Sequence, residues 1–337
     1  MKAAVIQERI IQTDITPAEL TARWKGLERV PGVDEVRILA EDHYPSRKSL
    51  DAFIGDAEAL FGVWIGPDLI NEPFLDSHPR LKYIATLGHG WETFDAEMTR
   101  RRGIVITNTV YGSHTIAEYA FALLMNSCHH IALHDARVKT IDWTRPENKP
   151  EFCKSVTRQI ELYGKTLGIM GLGAIGFSLA RMAQGFGMHV ISYDLIKRTA
   201  PEYGFIEQAD TMEELLSRSD FISLHMPHTP KTERMINAEI IEKMKDGVVL
   251  INTARGALID EQALADALAS GKVGAACLDV LTEEPPRHGS PLLTAPNCTI
   301  TGHVAWLTRE SRLRAVDMAI ENFVAYLSGA PKSVINK

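Results

Sequence analysis

The sequence predicts a parallel α/β fold in two domains, and three observations support this prediction. A chain of 337 residues is long for one hydrophobic core. Apolar strand candidates alternate with helix-patterned segments, as they do in doubly wound parallel sheets. A polar segment with two prolines, 139–160, interrupts the alternation, which then restarts at 166. We therefore expect two α/β domains, with 139–160 as a connection or an arm.

Five apolar runs predict the strands of the first sheet: 3–6, 36–40, 60–65, 81–87 and 104–107. Thr16 and Pro17 mark the start of a helix, because threonine caps helices and proline favours their first position. One long, apolar helix is predicted over about 114–138. Its apolar density indicates burial between layers.

Six further runs predict the strands of a second sheet: 166–170, 189–194, 221–226, 248–253, 274–280 and 298–302. The clearest helix between them spans 260–272. A last amphipathic helix, about 308–328, ends at a Ser-Gly pair with a proline beyond it. The pattern predicts one domain up to about 107 and another from there to about 300, with the last helix returning to either.

Composition narrows the class of protein. Hydrophobic residues make up 45% and charged residues 23%, with a net charge of −7, which is ordinary for a globular protein. We expect no nucleic-acid partner, because no basic block occurs, and no signal peptide or membrane span, because the apolar runs are too short. Without metal or redox spacing, the four cysteines are interpreted as buried free thiols in a reducing cytoplasm: Cys128, Cys153, Cys277 and Cys298.

The strongest local motif is GLGAIG, which begins at Gly171 and has its other two glycines at Gly173 and Gly176. It follows a predicted strand and opens a predicted helix. In that context the glycines permit a tight turn, close approach of a pyrophosphate and close packing of helix on strand. The helix N-terminus offers N–H groups and partial positive charge to phosphates. The motif predicts a dinucleotide site.

Asp194 ends the next predicted strand, where a carboxylate accepts a hydrogen bond from a ribose 2′-hydroxyl. Its charge would repel the 2′-phosphate of NADP, so we predict NAD as the cofactor and NADP as the less favoured one. Lys197 and Arg198 follow closely and offer a phosphate site, but we interpret them as solvated loop charges.

A charged residue follows each of the last three predicted strands: Arg255, Glu284 and His303. Each alone has a structural interpretation, as a loop charge, a polar turn and a helix cap. Because parallel strands end at one edge of the sheet, topology brings all three beside the glycine turn. A guanidinium holds a carboxylate and polarises a carbonyl, a histidine donates a proton, and a carboxylate fixes its tautomer and stabilises the protonated form. This set fits reduction of a 2-keto acid.

The chain resembles the D-2-hydroxyacid dehydrogenase family over nearly its whole length. The carrying stretches are GKTLGIMGLGAIG (164–176), SLHMPHTPKTERMIN (223–237), INTARGALIDEQAL (251–264), AACLDVLTEEP (275–285) and PLLTAPNCTITGHVAW (291–306). The resemblance implies that Arg255 binds substrate, His303 donates the proton and Glu284 is its partner. It also implies a set of cofactor contacts: Thr115, Ala174, Ile175, Pro227, Thr253, Ala254 and Asp279.

The resemblance further implies two Rossmann-like or flavodoxin-like domains, with the cofactor domain inserted into the substrate domain. Residues 1–107 and 305–337 would form the substrate domain, 108–304 the NAD-binding domain, and the active site would lie in the cleft. We expect Trp306 to wall that cleft. Members are usually homodimers joined through the cofactor domain, which gives segment 139–160 a role as a dimer arm.

One loop departs from the family pattern. The substrate loop reads LGHGWETFD (87–95), in which backbone N–H groups from Gly88, His89 and Gly90 are expected to hold the substrate carboxylate. His89 and Trp91 would alter the size and polarity of the pocket. The ending GHVAW-x-T-x-E-S-R is most similar to the glycerate dehydrogenase, or hydroxypyruvate reductase, branch, so we predict D-glycerate and hydroxypyruvate as the substrate pair, with glyoxylate as a further substrate.

Other interpretations stay open. Within the family, the alternative is a D-lactate-type or other 2-keto acid reductase. The alternative that is not an enzyme is an NAD-sensing corepressor, which we disfavour because we expect none of the extra terminal segments by which such proteins bind partners. The phosphoglycerate branch is disfavoured for want of a C-terminal regulatory domain, and the formate branch because Glu284 stands where that branch has glutamine. His130 and His134 have the spacing of a metal pair on a helix, but no third ligand is near in sequence and we expect no metal.

Overall fold

The computed structural model describes residues 1–8, 13–41, 46–63, 65, 69–88 and 95–337. The chain divides into two compact units. Unit 1 consists of Met1–Gly112 and Trp306–Lys337, and unit 2 of Ser113–Ala305. Within the described ranges, no helix has the length and apolar character needed to cross a membrane.

Unit 1 is built on five parallel strands: β1 (Lys2–Glu8), β2 (Glu35–Glu41), β3 (Ala59–Gly62), β4 (Tyr83–Thr86) and β5 (Val105–Asn108). Their order in the sheet is β2-β1-β3-β4-β5, which is the flavodoxin-like order. The first four helices of the chain belong to this unit: α1 (Pro17–Trp24), α2 (Arg47–Ile54), α3 (Glu72–Ser77) and α4 (Ala96–Arg101). The sheet separates two apolar clusters, one on each face.

Unit 2 is built on a seven-stranded sheet: β6 (Thr166–Met170), β7 (His189–Tyr193), β8 (Glu207–Gln208), β9 (Phe221–Leu224), β10 (Val248–Asn252), β11 (Val273–Leu278) and β12 (Cys298–Ile300). The order is β12-β11-β10-β9-β6-β7-β8, and every pair is parallel. This is the Rossmann order with one strand added. Successive strands are added on one side of β6 up to β8 and on its other side from β9 onward, so the strand order switches between β6 and β9. Ligands of such sheets bind outside the carboxyl ends of the strands at that point.

The helices that pack buried side chains against the unit 2 sheet are α5 (Ser113–His129), α8 (Ala174–Gly185), α9 (Met212–Arg218), α10 (Ala238–Glu242) and α11 (Glu261–Ser270). Unit 2 also contains α6 (Ile131–Val138) and α7 (Lys149–Phe152), which bury none of their described residues. The last helix of the chain, α12 (Arg309–Leu327), lies in unit 1. Its Phe323 ring packs edge-on against Phe61 of β3, with ring centroids 5.2 Å apart. The C-terminal residues therefore contribute to the core formed by the N-terminal ones.

Several local predictions are confirmed and others are wrong. The predicted N-cap of α1 is confirmed, because the Thr16 side chain accepts a hydrogen bond from the Glu19 N–H. The helix predicted over 114–138 is instead two helices, because His130 adopts a left-handed backbone with φ of 44°. The apolar pattern continues across this break, so periodicity does not reveal it. Strand β8 was not predicted, since its two residues form no apolar run.

The interpretation of the cysteines is only partly correct. All four are free; Cys128 and Cys277 are buried and Cys298 is half-buried, but Cys153 is exposed. Cys153 directly follows the short helix α7 in the polar segment 139–160, where no core surrounds it. Burial raises the pKa of the Cys277 thiol to about 12, which disfavours its reactive thiolate form.

Candidate active site

The glycine turn joins β6 to α8, and its three glycines have different surroundings. Gly171 has φ of 95°, and a Cβ there would lie 2.8 Å from the carbonyl of His225. A Cβ on Gly176 would lie 2.4 Å from the Gly171 oxygen. At Gly173 a Cβ would meet nothing within 4 Å. Two of the glycines are therefore required by the protein's own packing, whereas Gly173 leaves open space.

That open space fits the pyrophosphate of a dinucleotide. Gly173 is the N-cap of the 12-residue helix α8, whose first turn contains Ala174 and Ile175. No side chain caps this helix start. Its N–H groups and partial positive charge are thus available to an anion that approaches the bare Gly173 backbone.

Asp194 lies at the carboxyl end of β7 and is held by two backbone groups. One carboxylate oxygen accepts from the Leu172 N–H at 2.6 Å, and the other accepts from the Ile196 N–H at 2.9 Å. The first of these bonds ties the carboxylate to the glycine turn itself. Each carboxylate oxygen has a further lone pair, so Asp194 is able to accept from a ribose hydroxyl as well.

The expectation of solvated loop charges is confirmed for Lys197, whose side chain is 48% exposed, whereas Arg198 is half-buried. The Lys197 ammonium donates to the carbonyl oxygens of Gln208 and Ala209, at 3.2 and 2.7 Å, and to Asp210 at 3.1 Å. The Nε atom of Arg198 is buried and has no hydrogen-bond partner among the residues that the structure describes. The Lys197 charge is therefore compensated at the surface, and part of the Arg198 side chain packs against the protein.

Arg255 follows β10 in a turn held by Asn252. The Asn252 side chain donates to the Arg255 carbonyl at 2.7 Å and accepts from the Ala254 N–H at 2.9 Å. Gly256 comes next, and a Cβ on it would lie 1.9 Å from the Leu281 carbonyl carbon. Only glycine fits under that backbone, so the turn presents Arg255 at a fixed point beside the loop that follows β11.

His303 and Glu284 are hydrogen-bonded to each other. His303 Nδ1 lies 2.7 Å from Glu284 Oε2, and the side chains are 39% and 36% exposed. The other carboxylate oxygen, Oε1, accepts from the Leu281 N–H at 2.9 Å. A carboxylate on Nδ1 fixes the tautomer and orientation of the ring, so that Nε2 is the atom that exchanges a proton with a ligand.

The charge of Glu284 is stabilised by its neighbours. Burial raises the pKa of this carboxyl, but the hydrogen bond and charge of His303, the Leu281 N–H and the charge of Arg255 together bring it below its ordinary value. Glu284 is therefore ionised at neutral pH. The charge of Arg255 is the smallest of these influences, so Arg255 acts on Glu284 through its charge and His303 through a direct hydrogen bond.

Asp279 holds the backbone of His303 in place. Asp279 is 1% exposed, and its carbonyl accepts from the His303 N–H at 2.7 Å. Its carboxylate accepts from Val304 N–H at 2.9 Å, Ala305 N–H at 2.8 Å and Thr301 Oγ1 at 2.6 Å. These bonds pin the left-handed turn at His303, where φ is 58°. The sequence did not predict that Asp279 positions His303 or that Asn252 positions Arg255. The signal for both was a polar residue at the end of an apolar strand.

The other expected cofactor residues lie in unit 2 and differ in how they are engaged. Thr115 is buried in the first turn of α5. The Pro227 carbonyl accepts from the Thr232 hydroxyl at 2.8 Å. Thr253 Oγ1 is buried with no hydrogen-bond partner, as is Nε2 of His228 in the loop after β9. A buried hydroxyl without a partner beside Ala254 fits a ligand group that would complete its bonding.

Of the expected substrate loop, Leu87, Gly88 and Asp95 are described, and His89, Gly90 and Trp91 lie outside the described residues. The Gly88 carbonyl accepts from the Thr109 N–H at 3.2 Å, which ties the start of the loop to the residue that follows β5. Trp306, expected to wall a cleft, lies in unit 1 with its ring 6.3 Å from that of Tyr111.

The sheet order and the glycine turn define a dinucleotide-binding α/β protein with an Arg, Glu and His group at its strand ends. Residues 121–305 match the model of the D-isomer specific 2-hydroxyacid dehydrogenase NAD binding domain. The chain is 38% identical to a hydroxypyruvate reductase of Blautia hydrogenotrophica, over 96% of this chain and 97% of that one. It is 34% identical to a glyoxylate reductase of Korarchaeum cryptofilum, over 93% of each chain.

A solved structure extends the likeness to the fold. A D-lactate dehydrogenase of Aquifex aeolicus, complexed with NAD and lactic acid, superposes with a TM-score of 0.75 at 28% identity, over 97% of this chain and 96% of that one. The chain belongs to the D-isomer specific 2-hydroxyacid dehydrogenase family. It is an NAD-binding oxidoreductase that interconverts 2-hydroxy and 2-keto acids.

Proposed function

We propose that the enzyme uses NADH to reduce hydroxypyruvate to D-glycerate. We propose glyoxylate as a second substrate. The observation that carries the chemistry is the 2.7 Å hydrogen bond between His303 Nδ1 and Glu284 Oε2, with Arg255 beside the pair. The substrate rests on the relatives, which are a hydroxypyruvate reductase and a glyoxylate reductase, each matched over more than nine-tenths of its length.

Each member of the group has one role in this proposal. When bound at the glycine turn, NADH would supply a hydride for the carbonyl carbon of the substrate. Arg255 holds the substrate carboxylate and polarises the carbonyl. His303 Nε2 delivers the proton to the carbonyl oxygen, and Glu284 stabilises the imidazolium before transfer. In the reverse direction the neutral imidazole is the base. Asp279 and Asn252 keep His303 and Arg255 in position.

We assign the remaining expected residues to binding. The backbone of Gly88, with His89 and Gly90, holds the substrate carboxylate from unit 1, which serves as the substrate domain. Unit 2 serves as the cofactor domain. Its glycine turn, including Ala174 and Ile175, holds the pyrophosphate, and the nicotinamide end is bound by a further set: Thr115, Pro227, Thr253, Ala254 and Asp279.

We assign NAD rather than NADP as the cofactor. Asp194 is fixed at the glycine turn by the Leu172 N–H, so its negative charge would oppose a 2′-phosphate there. Lys197, the nearest cation in sequence, is already bonded to Asp210 and to two carbonyl oxygens. A 2′-phosphate would therefore meet a fixed carboxylate without a compensating ammonium.

We also propose a cytoplasmic homodimer joined through unit 2. Apolar side chains are exposed in and beside segment 139–160: Ile131 at 72%, Leu133 at 51%, Trp143 at 45%, Phe152 at 54% and Val156 at 44%. The Trp143 and Phe152 rings pack edge-on, 4.5 Å between centroids, which gives this surface a fixed shape. A second copy covering this face would remove it from water.

The test is one activity panel. Purified protein is mixed with NADH or NADPH and with hydroxypyruvate, glyoxylate, pyruvate, phenylpyruvate or 2-ketoisocaproate, and the loss of absorbance at the reduced nicotinamide band is followed. We expect the highest kcat/KM with NADH and hydroxypyruvate. Turnover confined to phenylpyruvate or 2-ketoisocaproate would contradict the glycerate assignment, and highest activity with pyruvate would favour a D-lactate-type enzyme. NADH binding without turnover of any acid would support the corepressor-like alternative.

A further inference from the structure

Unit 1 contains a small cavity at the carboxyl end of its sheet. It is lined by Gln7 from β1, Gly62 at the end of β3, Leu87 after β4 and Tyr111 after β5, together with Trp306 and Arg312. The cavity volume is about 20 Å³, enough for one water-sized group. Because Leu87 directly precedes Gly88, the cavity adjoins the start of the proposed substrate loop.

Gln7 is the unusual member of this lining. It is 4% exposed, yet among the described residues neither its side-chain nitrogen nor its side-chain oxygen has a hydrogen-bond partner. A buried amide with both ends unsatisfied is uncommon, because each group has lost its bonds to water. Gln7 is also a polar residue at the end of a buried apolar run, because the four residues before it are Ala3, Ala4, Val5 and Ile6.

The charge of the cavity wall selects a neutral occupant. Arg312 is 4% exposed and its guanidinium is paired with the Asp14 carboxylate. The hydrogen bond from Arg312 lowers the pKa of Asp14, so the pair is ionised and the cation is compensated. An anion in the cavity would face the Gln7 oxygen, and the charge of Arg312 is already balanced by Asp14. The cavity therefore favours a neutral group.

A hydroxyl group is a small neutral group that is able to bond both the nitrogen and the oxygen of the Gln7 amide. It accepts from the side-chain N–H and donates to the side-chain oxygen, whereas a methyl group leaves both atoms unsatisfied. We propose that Gln7 is a specificity residue that binds the 3-hydroxyl of a 3-hydroxy-2-keto acid beside the Gly88 loop. This proposal rests on the proposed function and deepens it, because it explains a preference for hydroxypyruvate over glyoxylate and pyruvate.

The test compares hydroxypyruvate with 2-oxobutanoate, in which a methyl group replaces the hydroxyl at nearly the same size. We expect wild-type kcat/KM to favour hydroxypyruvate by at least about 100-fold, because a site that hydrogen-bonds a hydroxyl rejects the analogue without it. In Gln7→Met and Gln7→Leu, this ratio should fall about 10- to 100-fold, mainly through loss of hydroxypyruvate activity. Glyoxylate, which has no third carbon, should be reduced at the wild-type rate.

The controls separate this proposal from the proposed function. Gln184→Leu makes the same chemical change on the exposed part of α8 and should leave the ratio unchanged. Equal wild-type rates with the two isosteres, or an unchanged ratio in both Gln7 variants, would overturn the role of Gln7 and assign its amide to a structural water. Wild-type turnover of glyoxylate but not hydroxypyruvate would do the same while leaving a 2-keto acid reductase. Failure of wild type with every acid would overturn the proposed function and this inference together.

Discussion

The two units have similar parallel sheets but treat polar residues at their strand ends differently. In unit 2, Asp194, Asp279 and Glu284 each accept hydrogen bonds from the protein's own backbone. In unit 1, Gln7 at the end of β1 and Thr109 after β5 are buried with side-chain atoms that have no partner. Unit 2 thus fixes its charged groups before any ligand binds, whereas unit 1 keeps neutral groups that a ligand or water must satisfy.

The difference is one of degree, because Thr253 Oγ1, His228 Nε2 and Arg198 Nε in unit 2 are also buried without a hydrogen-bond partner among the described residues, as is Arg37 Nε in unit 1. A charged group carries a larger cost when it is left unpaired than a neutral one does. The contrast between the units therefore concerns the carboxylates, which backbone N–H groups hold in unit 2 before a ligand binds. The following changes test this contrast.

The largest effect is expected from His303→Ala. Loss of the proton donor should reduce kcat by about 10³-fold, within the range ordinary for general acid catalysis, with little change in the Kd for NADH measured by fluorescence. His288→Ala is the matched control, because His288 also pairs with a glutamate, Glu283, at 3.0 Å, but its side chain is 88% exposed. A parallel loss of NADH binding in His303→Ala would show that the residue is structural and that unit 2 is less self-contained than we infer.

The next largest effect separates two glycines of the same turn. Gly173→Ala should leave the Tm unchanged and raise the Kd for NADH about 10-fold, since its Cβ meets no protein atom within 4 Å and would occupy the space for phosphate. Gly176→Ala should instead lower the free energy of unfolding by about 1–3 kcal/mol, because its Cβ would lie 2.4 Å from the Gly171 oxygen. Thermal melts and NADH titrations of both variants give the answer, and a stable Gly173→Ala with normal NADH affinity would refute the phosphate site.

Asp194→Ser tests the fixed charge at the end of β7. Removing the carboxylate should raise the ratio of kcat/KM for NADPH over NADH about 10-fold, by lifting repulsion of the 2′-phosphate. Asp246→Ser is the control, since Asp246 pairs with Lys272 at 2.8 Å and its side chain is 89% exposed. If the ratio moves equally in both variants, Asp194 does not select the cofactor.

The last comparison concerns the pH dependence of stability rather than binding or catalysis. Burial lowers the pKa of His225 to about 4, although the residue as a whole stays partly exposed, and its Nε2 lies 2.8 Å from Ser223 Oγ. Because the unfolded histidine binds a proton at higher pH than the folded one, this contribution is complete above about pH 6.5 and is lost as the pH falls toward 4. We expect a loss on the order of 2 kcal/mol over that window.

Denaturant unfolding at several pH values measures it. His225→Gln should show a flatter dependence between pH 6.5 and 4 than the wild type, and the exposed His288→Gln should follow the wild type. A His225→Gln variant with the full wild-type slope would show that other groups cause the loss. The difference between variants isolates His225 from the carboxylates that titrate at the lower end of the window.

The parallel α/β class, the glycine turn and the placement of Arg255, Glu284 and His303 after neighbouring strands could all be predicted from the sequence. These features are visible because each leaves a strong local signal: an apolar strand, a glycine that backbone geometry requires, or a charge directly after a strand. The break at His130 left no such signal, because the apolar pattern of α5 and α6 runs through it.

The groups that hold others in place are visible only in the folded structure. Asp279 pins the turn at His303 across 24 residues of sequence. Gln7 became notable only when folding buried it without a partner among residues far away in sequence. Hydrogen bonds and voids depend on distances in space between distant segments, and a pattern along the chain does not record those distances.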